Sequence, residues 1–297
     1  MKIQDFTNSP ITVSLGVLMG QNLPIKFNYS LANFVSDWLS KKKNSSLVRA
    51  VRENQRLIRG NVSPEELDQS VHSVFNHGGK CLADLYHYYR KPDELIQKVN
   101  DRSEILKFID SCQNSKTGTL LVTPHLSNFD MALLSLACQG LKAQVLTYSH
   151  PNGGYKIQNF VRENYALEVT PVTTSAIEKA FTRLKNGGVV ATGVDRPDSS
   201  DLQKPILTFF QRPSFVPTGY IRMAIKTGAR IVVAVTNMLQ DGTYHVRFSE
   251  PIEMVRYPNK MDEIQNNGRK VLEKIEKGIL DAPDQWLMFY PVWEQNS

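Results

Sequence analysis

Residues 119–130 read Thr-Leu-Leu-Val-Thr-Pro-His-Leu-Ser-Asn-Phe-Asp: a short apolar run stops at Pro124 and gives way near Asn128 to a helical pattern. Three branched aliphatics between threonines suit a buried strand, and the proline ends it because it lacks a ladder donor. The same rhythm continues downstream. Strand patterns at 143–148, 167–172, 189–194 and 230–236 alternate with helical patterns at 128–139, 156–164, 175–184 and 218–227. Residues 243–248 read as an antiparallel edge partner, and 261–280 as an outer helix. Apolar strands alternating with helices predict an α/β fold with a mostly parallel central sheet flanked by helices on both faces.

Upstream the pattern is helical. Leu31, Phe34, Val35, Trp38 and Leu39 share one face of a helix over 30–58, interrupted at Lys41-Lys42-Lys43-Asn44-Ser45-Ser46. Ser63-Pro64-Glu65-Glu66 combines a serine cap, proline at the first helical position and a glutamate three residues after the cap. That helix runs on to the tyrosines at 86, 88 and 89, and Ser103 caps another through Cys112. The expected division is a helical, basic extension over residues 1–114, packed on an α/β core over 115–297.

Composition sets the outer limits. With 297 residues, 41% hydrophobic and 22% charged, the chain can bury a sizeable core, which excludes disorder. A mean hydropathy of −0.31 and no long apolar run exclude a spanning helix. Residues 11–18 are mildly apolar, but Asp5, Asn8 and Pro10 interrupt the approach, so no secretory signal is expected. Cys81, Cys112 and Cys138 stand apart, which supports neither a zinc site nor disulfides and fits a cytoplasmic chain. The formal charge is +6, and eight basic residues against two acidic ones between Lys26 and Arg59 account for all of it. Such a segment is either a solvated face or a surface for a polyanion, lipid or nucleic acid.

Chemistry concentrates at strand ends. His125 sits between a strand and a helix, and Asp130 falls in the first helical turn. An imidazole oriented by a carboxylate suits a general base, and the helix N-terminus favours a developing anion. Ser127-x-x-Asp130 also spells a capping box, which would occupy Asp130 structurally. The G-x-S-x-G elbow, the Walker A loop, the strand-borne G-x-G-x-x-G and H-E-x-x-H are all absent.

His-x-x-x-x-Asp after a strand resembles the defining block of the glycerolipid and lysophospholipid acyltransferase superfamily. Residues 187–198 (GGVVATGVDRPD), 207–213 (LTFFQRP) and 217–235 resemble, in order, further blocks of one branch, the bacterial lipid A lauroyl/myristoyl and phosphatidylinositol mannoside acyltransferases. The likeness spans about residues 115–255. Asp130 stands where that branch commonly has glutamate, Gln211 replaces a usual glycine, Arg212 stands where an acidic residue can occur, and Ala234 where proline is frequent.

The resemblance implies transfer of an acyl chain from a thioester, acyl-CoA or acyl carrier protein, to a hydroxyl of a lipid or glycolipid. His125 would be the base and Asp130 its orienting partner, with no cofactor or metal. Both donors carry phosphates, so Arg196, Arg212 and Arg162 are candidate substrate contacts, with Asp195 and Asn128 beside them. The basic N-terminal helices fit a peripheral site on the inner face of the cell membrane, with Phe27, Tyr29, Phe34 and Trp38 in the interface. An ordinary core-packed helix would show the same stripe. Two rival readings remain: a metal-dependent glycosyltransferase using Asp195 and Asp198, and a basic nucleic-acid-binding protein.

Overall fold

A computed structural model describes residues 10–149, 151, 153–197 and 205–293. Among them, six helices precede the first strand: α1 (Pro10–Asn22), α2 (Ile25–Ser40), α3 (Ser46–Arg59), α4 (Pro64–Tyr88), α5 (Pro92–Lys98) and α6 (Arg102–Gln113). The start of α4 realises its sequence signature in full. Ser63 Oγ accepts from Glu66 N–H at 3.2 Å, and the Glu66 carboxylate accepts from Ser63 N–H at 2.8 Å. Ser103, expected as a cap, lies inside α6, whose N-cap is Asp101. The Asp101 side chain is turned away, accepting from Val246 N–H at 2.7 Å.

The core follows as β1 (Thr119–Thr123), α7 (Phe129–Cys138), β2 (Ala143–Thr147), α8 (Gly153–Arg162), β3 (Leu167–Pro171), α9 (Thr174–Lys185) and β4 (Val189–Gly193). A two-stranded hairpin, β5 (Leu207–Phe209) and β6 (Arg212–Ser214), precedes α10 (Gly219–Thr227), β7 (Arg230–Met238), β8 (Tyr244–Phe248) and α11 (Lys260–Asp281). The sheet order is β3-β2-β4-β1-β7-β8, with β8 alone antiparallel to its neighbour. The expected α/β class, mostly parallel sheet and N-terminal helices are all present.

Alternation along the strands explains the layering. Leu120 and Val122 of β1, Val190 of β4 and Ile231 and Val233 of β7 join one buried cluster with α9, α10 and α11. Leu121, Val189, Ala191 and Val232 face the other way, into a cluster shared with α4, α5, α6, α7 and α8. Covering both faces is what lets these strands carry consecutive apolar residues, as at 120–122, 189–191 and 231–235.

α2 departs from the usual amphipathic rule. Its inward face is small or polar (Asn28, Ala32, Ser36), with Leu39 the large apolar exception. Phe34 is 70% exposed and Trp38 51%, and Phe27, Leu31 and Val35 are exposed as well. The core-packed reading of this stripe therefore holds only for Leu39. Small residues on the buried side serve close approach: a Cβ on Gly79 of α4 would come within 2.8 Å of Ala32 Cβ.

The basic segment is partly neutralised within the fold. Asp68 pairs with both Lys43 and Arg52, Arg56 with Glu53 at 2.6 Å, and Arg59 with Asp284 at 2.6 Å. Lys42 lies over the Trp38 ring at 5.1 Å, and Lys41 sits beside it. No described helix is long and apolar enough to cross a membrane.

Candidate active site

β1 and β4 are parallel hydrogen-bonded neighbours, with Thr123 opposite Gly193. His125 and Asp195 each follow their strand end by two residues, so the register delivers them side by side at the carboxyl edge of the sheet. This is where the strand order reverses, the usual location of sites in open α/β sheets. The His125 imidazole Nδ1 stands 2.6 Å from Asp195 Oδ1, and His125 N–H donates to Oδ2 at 2.9 Å. The Trp286 indole N–H donates to the same Oδ2 at 2.7 Å.

The carboxylate side chain is 0% exposed and the imidazole 29%. Burial works to raise the Asp195 carboxyl, but the His125 charge and the three hydrogen bonds outweigh it and hold the group below the ordinary aspartate range. With Nδ1–H given to the carboxylate, Nε2 is the basic nitrogen. The ring lies over Gly193, where a Cβ would come within 3.0 Å of His125 Cε1. Phe129 meets the ring edge-on at 5.2 Å.

The backbone around the imidazole is held from the far end of the chain. Leu287 N–H donates to His125 C=O, and Ser127 N–H donates to Gln285 C=O, both at 2.7 Å, while Leu126 and Trp286 form an antiparallel bridge. Gln285 is fastened in turn by its amide, which exchanges hydrogen bonds of 2.7 and 2.9 Å with the Met238 backbone. Ser127 adopts φ 51°, left-handed for a residue with a Cβ, and its hydroxyl meets His77 Nε2 at 2.9 Å. Burial lowers His77 to about 4, which keeps it neutral there.

The pairing expected between His125 and Asp130 is replaced by one between His125 and Asp195. Asp130 points toward α8, where Arg162 meets both its oxygens as a fork, Nε at 2.8 Å and NH2 at 2.9 Å. Both oxygens of Asp130 are thus engaged by the Arg162 guanidinium rather than by the imidazole. The alternative capping box is not formed either: Asn128 is the N-cap, its Oδ1 accepting from Met131 N–H at 3.3 Å.

Other expected contacts divide between interior and surface. Arg162 is buried between Asp130, Asn159 Oδ1 at 3.1 Å and the Tyr155 ring. Asn128 is buried too, donating to Cys81 C=O at 2.8 Å and Tyr244 OH at 3.1 Å. Arg196 stacks between the rings of Tyr148 at 4.7 Å and Tyr290 at 3.9 Å, next in sequence to the buried acid. Arg212 is exposed at the start of β6. Asp198, the second acid of the glycosyltransferase reading, lies outside the described residues. Tyr29 is drawn inward rather than presented to solvent, donating to Asp84 at 2.6 Å. Tyr244 OH donates to the other oxygen of Asp84 at 2.6 Å, with Lys98 at 3.5 Å. Burial raises the Asp84 carboxyl, against the opposing charge of Lys98.

Sequence reading missed Trp286, Gln285 and His77. The first two belong to no recognisable motif, and their role depends on a backbone contact across more than 150 positions. His77 lay unremarked on a helix face.

The family model described as bacterial lipid A biosynthesis acyltransferase matches residues 10–295. No curated protein matches the sequence. Among solved structures, the crystal structure of the 1-acyl-sn-glycerophosphate (LPA) acyltransferase PlsC from Thermotoga maritima is similar at a TM-score of 0.39 and 11% identity, over 92% of this chain and 100% of that one.

Proposed function

We propose how this acyltransferase works from the premise that the chain belongs to the bacterial lipid A biosynthesis acyltransferase family and acts on lipid-type substrates: His125 is the general base, Asp195 its charged partner, and the reaction is direct transfer from a thioester to a hydroxyl. The observation that carries this reading is the 2.6 Å contact between His125 Nδ1 and Asp195 Oδ1. It leaves Nε2 to take the hydroxyl proton as the oxygen attacks the thioester carbonyl. Collapse of the tetrahedral adduct breaks the carbon–sulfur bond, and the departing thiolate recovers the proton from the imidazolium. Asp195 stabilises that imidazolium while it lasts. No acyl-enzyme is required, since Cys81 is buried and its thiol is raised above its ordinary range, chiefly by burial.

Arg196 supports binding of a phosphate-bearing donor, acyl-CoA or acyl carrier protein. The two tyrosine rings restrict its guanidinium to a narrow range of orientations beside the base, as a bidentate phosphate contact requires. The outward aromatic stripe of α2, with Lys26, Lys41 and Lys42, supports docking on an anionic membrane surface, where a lipid acceptor resides. The glycosyltransferase reading is weakened because both oxygens of the buried Asp195 carboxylate are engaged, by His125 and by Trp286.

The test is transfer from lauroyl-CoA and from lauroyl-acyl carrier protein to a lipid A precursor, comparing wild type with His125→Ala. Transfer by the wild type and none by a folded His125→Ala variant is the expected result. Wild-type turnover in the variant would remove His125 from the chemistry.

A further inference from the structure

We infer that Trp286 is a positioning residue for the base, locking the Asp195 carboxylate through its indole N–H so that the remaining oxygen faces His125. The inference rests on the reading of His125 as the base. Indole nitrogen can only donate, so its 2.7 Å contact marks Oδ2 as an acceptor. His125 N–H occupies the same oxygen at 2.9 Å, leaving Oδ1 for the imidazole. With Oδ2 pinned from two directions, the carboxylate cannot rotate to share its charge differently.

The indole is itself fixed. It is fully buried, with the rings of Phe209, Phe210 and Trp293 at 6.1 to 6.2 Å between centroids. Its backbone bridges Leu126, so one residue sets both the loop carrying the base and the acid behind it.

Loss of the indole donor returns negative charge to the carboxylate. A more basic carboxylate binds the imidazolium more tightly, so His125 keeps its proton to higher pH. The other charged or titratable groups on elements meeting here include Arg196, Asp130, Arg162, His77, Cys81, Asp84, Glu276 and Asp284, and a substitution at 286 removes none of them.

The test replaces Trp286 with phenylalanine and, separately, with the benzothienyl isostere of tryptophan. The isostere keeps the bicyclic shape and lacks the donor, so it folds even if Trp286→Phe does not. Proton NMR of the His125 ring, assigned by loss of the signal in His125→Gln, follows protonation without any substrate. We expect its midpoint to rise by about half a pH unit or more in the folded variant. With lauroyl-CoA as donor, kcat should fall about tenfold, with KM changed less than about twofold. The acidic limb of kcat/KM should move to higher pH in parallel. An unchanged midpoint in the isostere variant would overturn the inference while leaving His125 as the base, provided His125→Ala is inactive. Full activity in His125→Ala would remove the base and this inference together.

Discussion

Exchanging each aspartate for asparagine separates their roles. Asp130→Asn leaves Arg162 buried without its counter-charge, and breaking a buried pair in this way costs about 3–5 kcal/mol. Its denaturation midpoint should fall sharply while the folded fraction still turns over. Asp195→Asn removes the charge behind the imidazole and offers an amide where an acceptor is needed, so turnover should drop on the order of 10³-fold or more. A stable but inactive Asp130→Asn variant would instead return Asp130 to the chemistry. Part of this residue-level picture could be read in advance: His125 and Asp195 both stand just past apolar strands, although Asp195 was read as a substrate contact. Which strand adjoins β1 could not be read, because sheet order is set by non-local packing. Asp130 is the acid near in sequence and completes the His-x-x-x-x-Asp block, whereas the β1–β4 register brings Asp195 across 70 positions.

At the scale of elements, the crossing of α2 over α4 depends on the absence of side chains. Gly79→Val would press a branched side chain on Ala32, and overpacking of this kind costs about 1–3 kcal/mol. Limited proteolysis should then cut near α2 first, while Gly60→Ala, at a glycine with φ 74° and open space around it, strains only a turn. Equal protease resistance of Gly79→Val and wild type would show that α2 packs by other means. The helix boundary was legible at Ser63, where a full capping box announced it, but not at Ser103, which lies inside α6 behind the Asp101 N-cap. α1 was not legible either, since the apolar residues among its 13 form no helical stripe. The β5–β6 hairpin was also hidden: its strands have three residues each, and Phe210 and Gln211 turn between them at φ 50° and 59° with no glycine or asparagine to signal it.

Across the whole molecule, one surface and one buried group give measurable behaviour. Reversing Lys26, Lys41 and Lys42 to glutamate should weaken binding to anionic vesicles by about 1 kcal/mol per residue, measured by co-sedimentation at low salt. Phe34→Ser with Trp38→Ser should do the same at high salt, where charge is screened, and neither change should alter turnover on a short soluble acceptor. Undiminished sedimentation of both variants would return the stripe to ordinary solvent exposure. His77 gives a pH signature. Its folded form, near 4, refuses the proton that the unfolded chain accepts near 6.5. Stability from this group is therefore complete above pH 6.5 and lost as pH falls toward 4, by up to about 3 kcal/mol. Urea midpoints at pH 7 and 4.5 should converge in His77→Gln, and an identical pH slope in the two proteins would assign the loss to other groups.

The grip of Gln285, Trp286 and Leu287 on the histidine loop also bears on the order in which the protein is made. Every strand of the sheet leaves the ribosome before these three residues do. The sheet can thus be assembled while the loop carrying His125 still lacks these contacts, and Trp286 then completes the hydrophobic layer beneath it. The loop that carries His125 is therefore fixed only after the strands are made, by a stretch that contributes none of them.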